Sequence, residues 1–175
     1  MKKLIFISLL FSILSLSVSA QKPTKAEKAA QLEQEFQQTR QLIESNHFQF
    51  ELNRVYPQDG QDLSRFNPRG KFVITDSVAK GTLPFFGRAY SLPYGEGGGI
   101  EFEGVMKDQS LKIEHKKKRK ILIYRFSITA KNDTYQISME ISGGGNCSVN
   151  LNSNNRAQIS YSGTVSPVKD ETGKS

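Results

Sequence analysis

The chain has 175 residues, of which 23% are charged and 37% hydrophobic, and its 24 Lys and Arg against 17 Asp and Glu give a formal net charge of +7. One cysteine and two histidines exclude an intramolecular disulfide framework and leave no Cys/His set for a structural zinc. A chain of this length is expected to bury roughly 70% of the surface its unfolded form exposes, so a core needs no covalent staple, and the basic excess speaks to solubility before it names a partner.

In chain order, Met1-Lys2-Lys3 precedes the apolar run Leu4 to Val18, and Val18-Ser19-Ala20 supplies small residues before Gln21. This is the pattern of a secretory signal peptide: a basic start, an apolar stretch too short for a comfortable span, and a peptidase exit. Cleavage is expected after Ala20, which removes two of the positive charges. The chain then divides into a signal peptide over 1–20, one domain over 21–167 and a flexible polar tail over 168–175, exported to the periplasm or secreted. No transmembrane segment is expected after cleavage.

Thr24-Lys25-Ala26-Glu27 reads as a capping box. The helix it opens should run from Lys25 to Ser45, with Ala29, Leu32, Phe36, Leu42 and Ile43 forming one apolar stripe and Arg40 and Glu44 an i,i+4 pair on the wet side. Phe48, Phe50 and Leu52 then alternate as a strand. Turn chemistry at Pro57-Gln58-Asp59-Gly60 and Asn67-Pro68-Arg69-Gly70 precedes a strand over Lys71 to Asp76 and another over Ser77 to Leu83. Ile100, Phe102 and Val105 restart the alternation. Next come Leu111 and Ile113, a basic tip over His115 to Lys120, and the inward rows Leu122, Tyr124, Phe126, Ile128 and Tyr135, Ile137, Met139, Ile141. Lys131-Asn132-Asp133, Gly143-Gly144-Gly145-Asn146 and Asn152 to Asn155 are turns. Cys147, Val149, Leu151 and then Ile159, Tyr161, Val165 close the sheet. The fold expected is α+β: an N-terminal amphipathic helix on a strongly curved antiparallel sheet of about eight strands, a half-barrel or small barrel that limits exposed edges.

Between these elements Leu83 to Gly99, LPFFGRAYSLPYGEGGG, gathers two prolines, five glycines, four aromatics and Arg88. Such a segment reads as a shaped loop that folds back and buries rings against the sheet. Phe85, Phe86, Arg88, Tyr90 and Tyr94 are its candidate ligand-binding residues. Arg88 is expected to present its fork to an anion, or else to satisfy loop carbonyls or a carboxylate such as Glu101 or Glu103. Gly95-Glu96-Gly97-Gly98-Gly99 is no dinucleotide fingerprint, because Ile100 stands where a further glycine is needed and no helix follows. Lys116, Lys117, Lys118, Arg119 and Lys120 form a solvated hairpin tip that offers a second candidate surface, for a polyanion. Nothing flanks it with the aromatic platforms that single-stranded nucleic acid favours.

The catalytic inventory is thin. His47 and His115 are the only imidazoles, and Cys147 sits in an apolar row that points to a buried, inert thiol. Neither histidine has metal-ligand spacing, and no cofactor is implied. An envelope-polymer hydrolase would have to draw on carboxylates such as Asp59, Glu96 or Glu101, two of them within about 5 to 9.5 Å of each other.

Several segments taken together, Leu83 to Ser91, Pro93-Tyr94-Gly95 with the glycines to Gly99 and Ile100 to Phe102, Lys131 to Tyr135, Ser153-Asn154-Asn155-Arg156 and Ile159-Ser160-Tyr161, resemble an uncharacterised family of exported bacterial proteins, domain of unknown function 4251. The resemblance covers about Lys25 to Pro167. It implies export and a helix followed by strands, and no activity, ligand or catalytic residue comes with it. The functional expectation is therefore a non-enzymatic module of the envelope that binds a small ligand or envelope component at the 83–99 surface, with the hydrolase and a structural or polyanion-binding role as alternatives.

Overall fold

The computed structural model describes residues 24–91, 98–116, 119–130 and 133–169. The expected signal peptide over 1–20, Tyr94, Glu96, Lys117, Lys118, the expected turn residues Lys131 and Asn132, and residues 170–175 of the expected tail lie outside them. The chain divides into two compact units, Met1–Gln31 and Leu32–Ser175.

In the first unit, the Thr24 amide donates to Glu27 Oε2 at 2.7 Å and the Glu27 amide to Thr24 Oγ1 at 3.2 Å. This is the reciprocal capping box, which satisfies two donors that a helix start leaves orphaned. The helix it opens, α1 (Lys25–Glu44), continues into the second unit. Its buried stripe is narrower than the periodicity predicts: Phe36, Thr39 and Ile43 are buried, whereas Leu32 is 62% exposed and Ala29 is also exposed. Thr39 takes the position one turn after Phe36 and donates its hydroxyl to Glu35 O at 2.8 Å, which removes the cost of burying it. Arg40 and Glu44 form the expected pair at 2.8 Å. Asn46 ends the helical segment at φ 48°, a left-handed conformation that Asn tolerates better than most residues.

The strands are β1 (His47–Pro57), β2 (Lys71–Thr75), β3 (Val78–Leu83), β4 (Ile100–Val105), β5 (Lys107–Lys116), β6 (Arg119–Ala130), β7 (Asp133–Ser142), β8 (Asn146–Ser153) and β9 (Ile159–Pro167). All pair antiparallel in one nine-stranded sheet of order β4-β3-β2-β1-β9-β8-β7-β6-β5. Two meanders, β1 to β4 and β5 to β9, are thus joined at the β1–β9 seam. The row Ile159, Tyr161, Val165 does not close the sheet, as its position in sequence suggests, but stands in the middle of it. The two edge strands β4 and β5 are joined by Met106 alone. The sheet curls into a half-barrel until β4 lies along the end of β6, where a methyl on Gly104 would stand 3.2 Å from Ile128 Cγ2. Edge position also explains why Val105 and Ile113 are 57% and 40% exposed, although both continue alternating rows.

The concave face is the core. Phe50, Phe72 and Phe102 share one cross-strand row with Gly81 between the last two. Because Gly81 has no side chain, the rings of Phe72 and Phe102 meet across β3 at 6.0 Å, after Phe50 and Phe72 stack at 5.0 Å. Phe102 then reaches Tyr135 of β7 at 6.0 Å, so an aromatic chain spans the half-barrel. From Leu32 onward α1 covers this face, with Phe36 and Ile43 in the same cluster. Gly143 lies close to the Phe36 backbone, 3.2 Å from its amide nitrogen to where a Cβ would be.

At the other end of the core, Tyr124 is 3% exposed, and its hydroxyl has Asn46 Oδ1 at 3.0 Å and Gln109 Oε1 at 2.9 Å. Burial pushes its ionisation up from 10.0 to about 12. A phenol that ionises later in the folded chain than in the unfolded one weakens folding as pH climbs, because the unfolded state sheds its proton first. Stability is therefore expected to fall between pH 10 and about 12, with a smaller fall in Tyr124→Phe. Urea titrations of both proteins at pH 9 and pH 11 check this, and parallel losses would count against it.

Candidate functional site

The loop after β3 is held by its backbone. The Tyr161 hydroxyl donates to Pro84 O at 2.9 Å, the Ala157 amide to Arg88 O at 2.9 Å, and the Tyr90 amide to Asn155 O at 2.8 Å, with Ala89 and Arg156 paired as an isolated bridge. A segment with two prolines cannot form a regular ladder, so it docks through single bonds onto the connection between β8 and β9. Only part of the aromatic expectation is realised. Phe85 packs against the core, but Phe86 and Tyr90 are 38% and 62% exposed. Arg88 is exposed and forms no ion pair among the described residues. The proline-set turn rotates alternate side chains outward, and a loop pinned by its carbonyls does not need Arg88 to satisfy them.

Next to the end of this docked segment lies a cavity of about 1170 Å³. None of Phe85, Phe86, Arg88 and Tyr90 lines it, although Ser91 and Gly99, which bracket the segment outside the described residues, both do. Strands β1 to β4 supply Glu51, Leu52, Lys71, Val73, Lys80, Thr82, Glu101, Phe102 and Glu103, while Ala130, Asp133, Tyr135 and Asn155 come from the opposite meander. Two arginines complete the charged lining, Arg69, which is exposed, and Arg156, which sequence reasoning did not single out as a site residue; Arg156 is the buried one. It is 5% exposed, its guanidinium carbon stands 5.1 Å from the Phe85 ring centroid, and its Nε and Nη1 have no hydrogen-bond partner. The signal available in sequence was faint, an arginine in a polar turn that most often faces water.

Most of the carboxylates here are already engaged. Glu103 pairs with Lys80 at 2.8 Å, Glu51 accepts from Lys169 at 2.7 Å and from Gln49 at 2.8 Å, and Asp133 accepts from the Ser153 hydroxyl and the Thr134 amide. The bond to Lys169 ties down the second residue of the predicted tail. Glu51 and Glu101 share a row three strands apart, roughly 14 Å by strand spacing. Asp59 sits in the turn after β1 and accepts from the Gln61 amide at 3.1 Å; it does not line the cavity. The structure thus does not bring Asp59 and Glu101 together. Cys147 is buried on β8, and burial pushes its thiol well up, away from the reactive thiolate. His47 and His115 are exposed on different strands. Among the described residues no group of three His, Cys, Asp or Glu could hold a metal ion, and no helix is long and apolar enough to cross a membrane.

At the basic hairpin tip, Lys116 pairs with Glu140 at 2.7 Å, and Lys120 with Glu33 at 2.9 Å while lying 5.7 Å from the Phe36 ring centroid. Both cations have a local carboxylate, which reduces the field they offer a polyanion. Arg119 is exposed.

Comparison with known proteins agrees with the architecture. The crystal structure of a DUF4251 family protein from Bacteroides eggerthii DSM 20697 superposes with a TM-score of 0.56 at 21% identity, covering 79% of this chain and 91% of that one. At that identity the likeness speaks to the fold. No relative is found among curated proteins. The profile of DUF4251, a domain of unknown function, matches residues 30–165. The helix docked from Leu32 onward, all nine strands and the docked Pro84–Ser91 loop fall almost wholly within that match, and the chain belongs to the DUF4251 family.

Proposed function

We propose that the protein is an exported, non-enzymatic binding module of the bacterial envelope or exterior, and that it takes a small organic ligand in the cavity next to the docked 84–91 segment. The observation that carries the reading is the cavity itself: about 1170 Å³, slightly above the 300 to 1,000 Å³ typical of sites that hold drug-sized molecules. Its lining has the usual composition of such sites, with the apolar surfaces of Leu52, Val73, Phe102 and Tyr135 and a few convergent polar groups. Export is supported by the Lys2 to Ala20 pattern.

Ala130 is half-buried at the end of β6, lines the cavity and, two residues after Ile128, shares the concave face with Tyr135, so Ala130→Trp places an indole in the ligand's space. Ligands that raise the melting temperature of the wild-type protein, by mass action on the folded state, are expected to lose that effect in Ala130→Trp. A ligand whose shift survives the substitution would place binding elsewhere. N-terminal sequencing of the exported form is expected to begin at Gln21, and an intact Met1 would remove the export half of the reading.

A further inference from the structure

Building on the binding reading above, we infer that the cavity recognises an organic acid, with a single carboxylate placed in the plane of the Arg156 guanidinium and an apolar body against Phe102 and Tyr135. A buried guanidinium makes strict demands on its surroundings. It stays charged at any pH a folded protein meets, and all of its donors lie in one plane. The Phe85 ring, 5.1 Å away, answers the positive charge, but a ring stacked on the guanidinium cannot accept in-plane N–H bonds. Nε and Nη1 are buried and without a hydrogen-bond partner, on a side chain that is 95% buried by its 5% exposure. A buried donor without an acceptor, on a charged group above all, is costly and rare in folded proteins.

The carboxylates that share the cavity do not meet this need. Asp133 is taken by Ser153 and Thr134, Glu103 by Lys80, and Glu51 by Lys169 and Gln49. Glu101 is exposed on β4. The site therefore holds one buried cation with vacant in-plane donors, beside aromatic surface, in a space far larger than a bare ion needs. A single negative charge balances a single buried guanidinium, and the planar carboxylate matches its geometry. The four carboxylates of the lining, Glu51, Glu101, Glu103 and Asp133, are matched by four cations, Arg69, Lys71, Lys80 and Arg156, so a doubly charged phosphate would leave an excess of two negative charges where a carboxylate leaves one.

The experiment titrates the full exported protein with a panel of aromatic and medium-chain carboxylic acids, each beside its primary amide of nearly the same shape, with inorganic phosphate as a third arm. Calorimetry and thermal shift read the binding. At least one acid is expected to bind the wild-type protein tenfold or more tightly than its amide, and to weaken tenfold or more in Arg156→Gln while Glu114→Gln, exposed on β5 away from the cavity, binds it normally. Circular dichroism establishes that the variants are folded. If Arg156→Gln does not fold, the acid-against-amide comparison on the wild-type protein still decides. An acid and an amide that bind equally would overturn the carboxylate assignment and leave the cavity reading standing. Phosphate bound in preference to every acid would overturn it too. No binding by any member of the panel would count against both.

Discussion

Phe72→Ala is expected to cost about 3 to 5 kcal/mol, the range for removing a buried phenylalanine and leaving a hole. Phe72 is fully buried and touches two rings, Phe50 at 5.0 Å and Phe102 at 6.0 Å. It is the middle link of the aromatic chain that continues to Tyr135 across the open side of the half-barrel, so its loss uncouples β2 from β4 as well as β1. The space cannot be refilled cheaply, because its cross-strand neighbour on the far side is Gly81, which has nothing to move into it. Against a domain stability of roughly 5 to 15 kcal/mol, the variant should lose a large part of its resistance to urea. The control is Phe66→Ala: Phe66 is 59% exposed, and its removal should change stability by no more than about 0.5 kcal/mol. Equal urea midpoints for the two variants would show that the aromatic chain is not where the stability resides.

Gly163→Ala should be nearly as damaging, at about 3 kcal/mol, the upper part of the usual range for overpacking. A methyl at this position would stand 2.1 Å from the Glu51 carbonyl oxygen and 2.7 Å from Phe50 Cε2. The first of these is backbone in the β1–β9 seam and cannot swing away like a side-chain end. Gly163 pairs with Leu52, beside the register shift between Leu52 and Arg54, so the strand that must yield is already irregular. The cost here is steric, since Gly163 is not among the positive-φ glycines. Gly60 gives the opposite case: φ is 76° and nothing lies within 4 Å of a built Cβ, so Gly60→Ala should cost only the backbone conformation, about 1 kcal/mol. Urea denaturation of the two alanine variants checks the ordering, and a Gly60→Ala loss equal to that of Gly163→Ala would refute the steric account.

These two positions mark the boundary between what residues announce and what folding arranges. Gly81 and Gly163 read in sequence as weak points in strands. In the structure each is the space a close phenylalanine occupies, Phe72 by its Cβ against Gly81 and Phe50 by its ring against Gly163, and the partner belongs to another strand in each case. The same holds at the cavity. The prolines and glycines of 83–99 mark a shaped loop, and its described part, residues 84–91, is pinned by its backbone, but the side chains judged most promising there, Phe86, Arg88 and Tyr90, are exposed. The residue that the fold buries with unused donors, Arg156, comes from the connection onto which that loop docks.

By itself the sequence determined the capped helix, the alternating rows of the strands and most of the turns between them, because each depends on residues within a few positions of one another: a cap three residues long, a period of two, a glycine at a positive φ. Tertiary structure alone decided that β9 pairs with β1, that β4 and β5 become the edges, that Leu32 stays in water while Thr39 is buried, and that Arg156 faces a cavity. These outcomes follow from which distant strands pair and how far the sheet curls. That choice is made by the total apolar surface the whole chain can bury, and no local window of residues carries it.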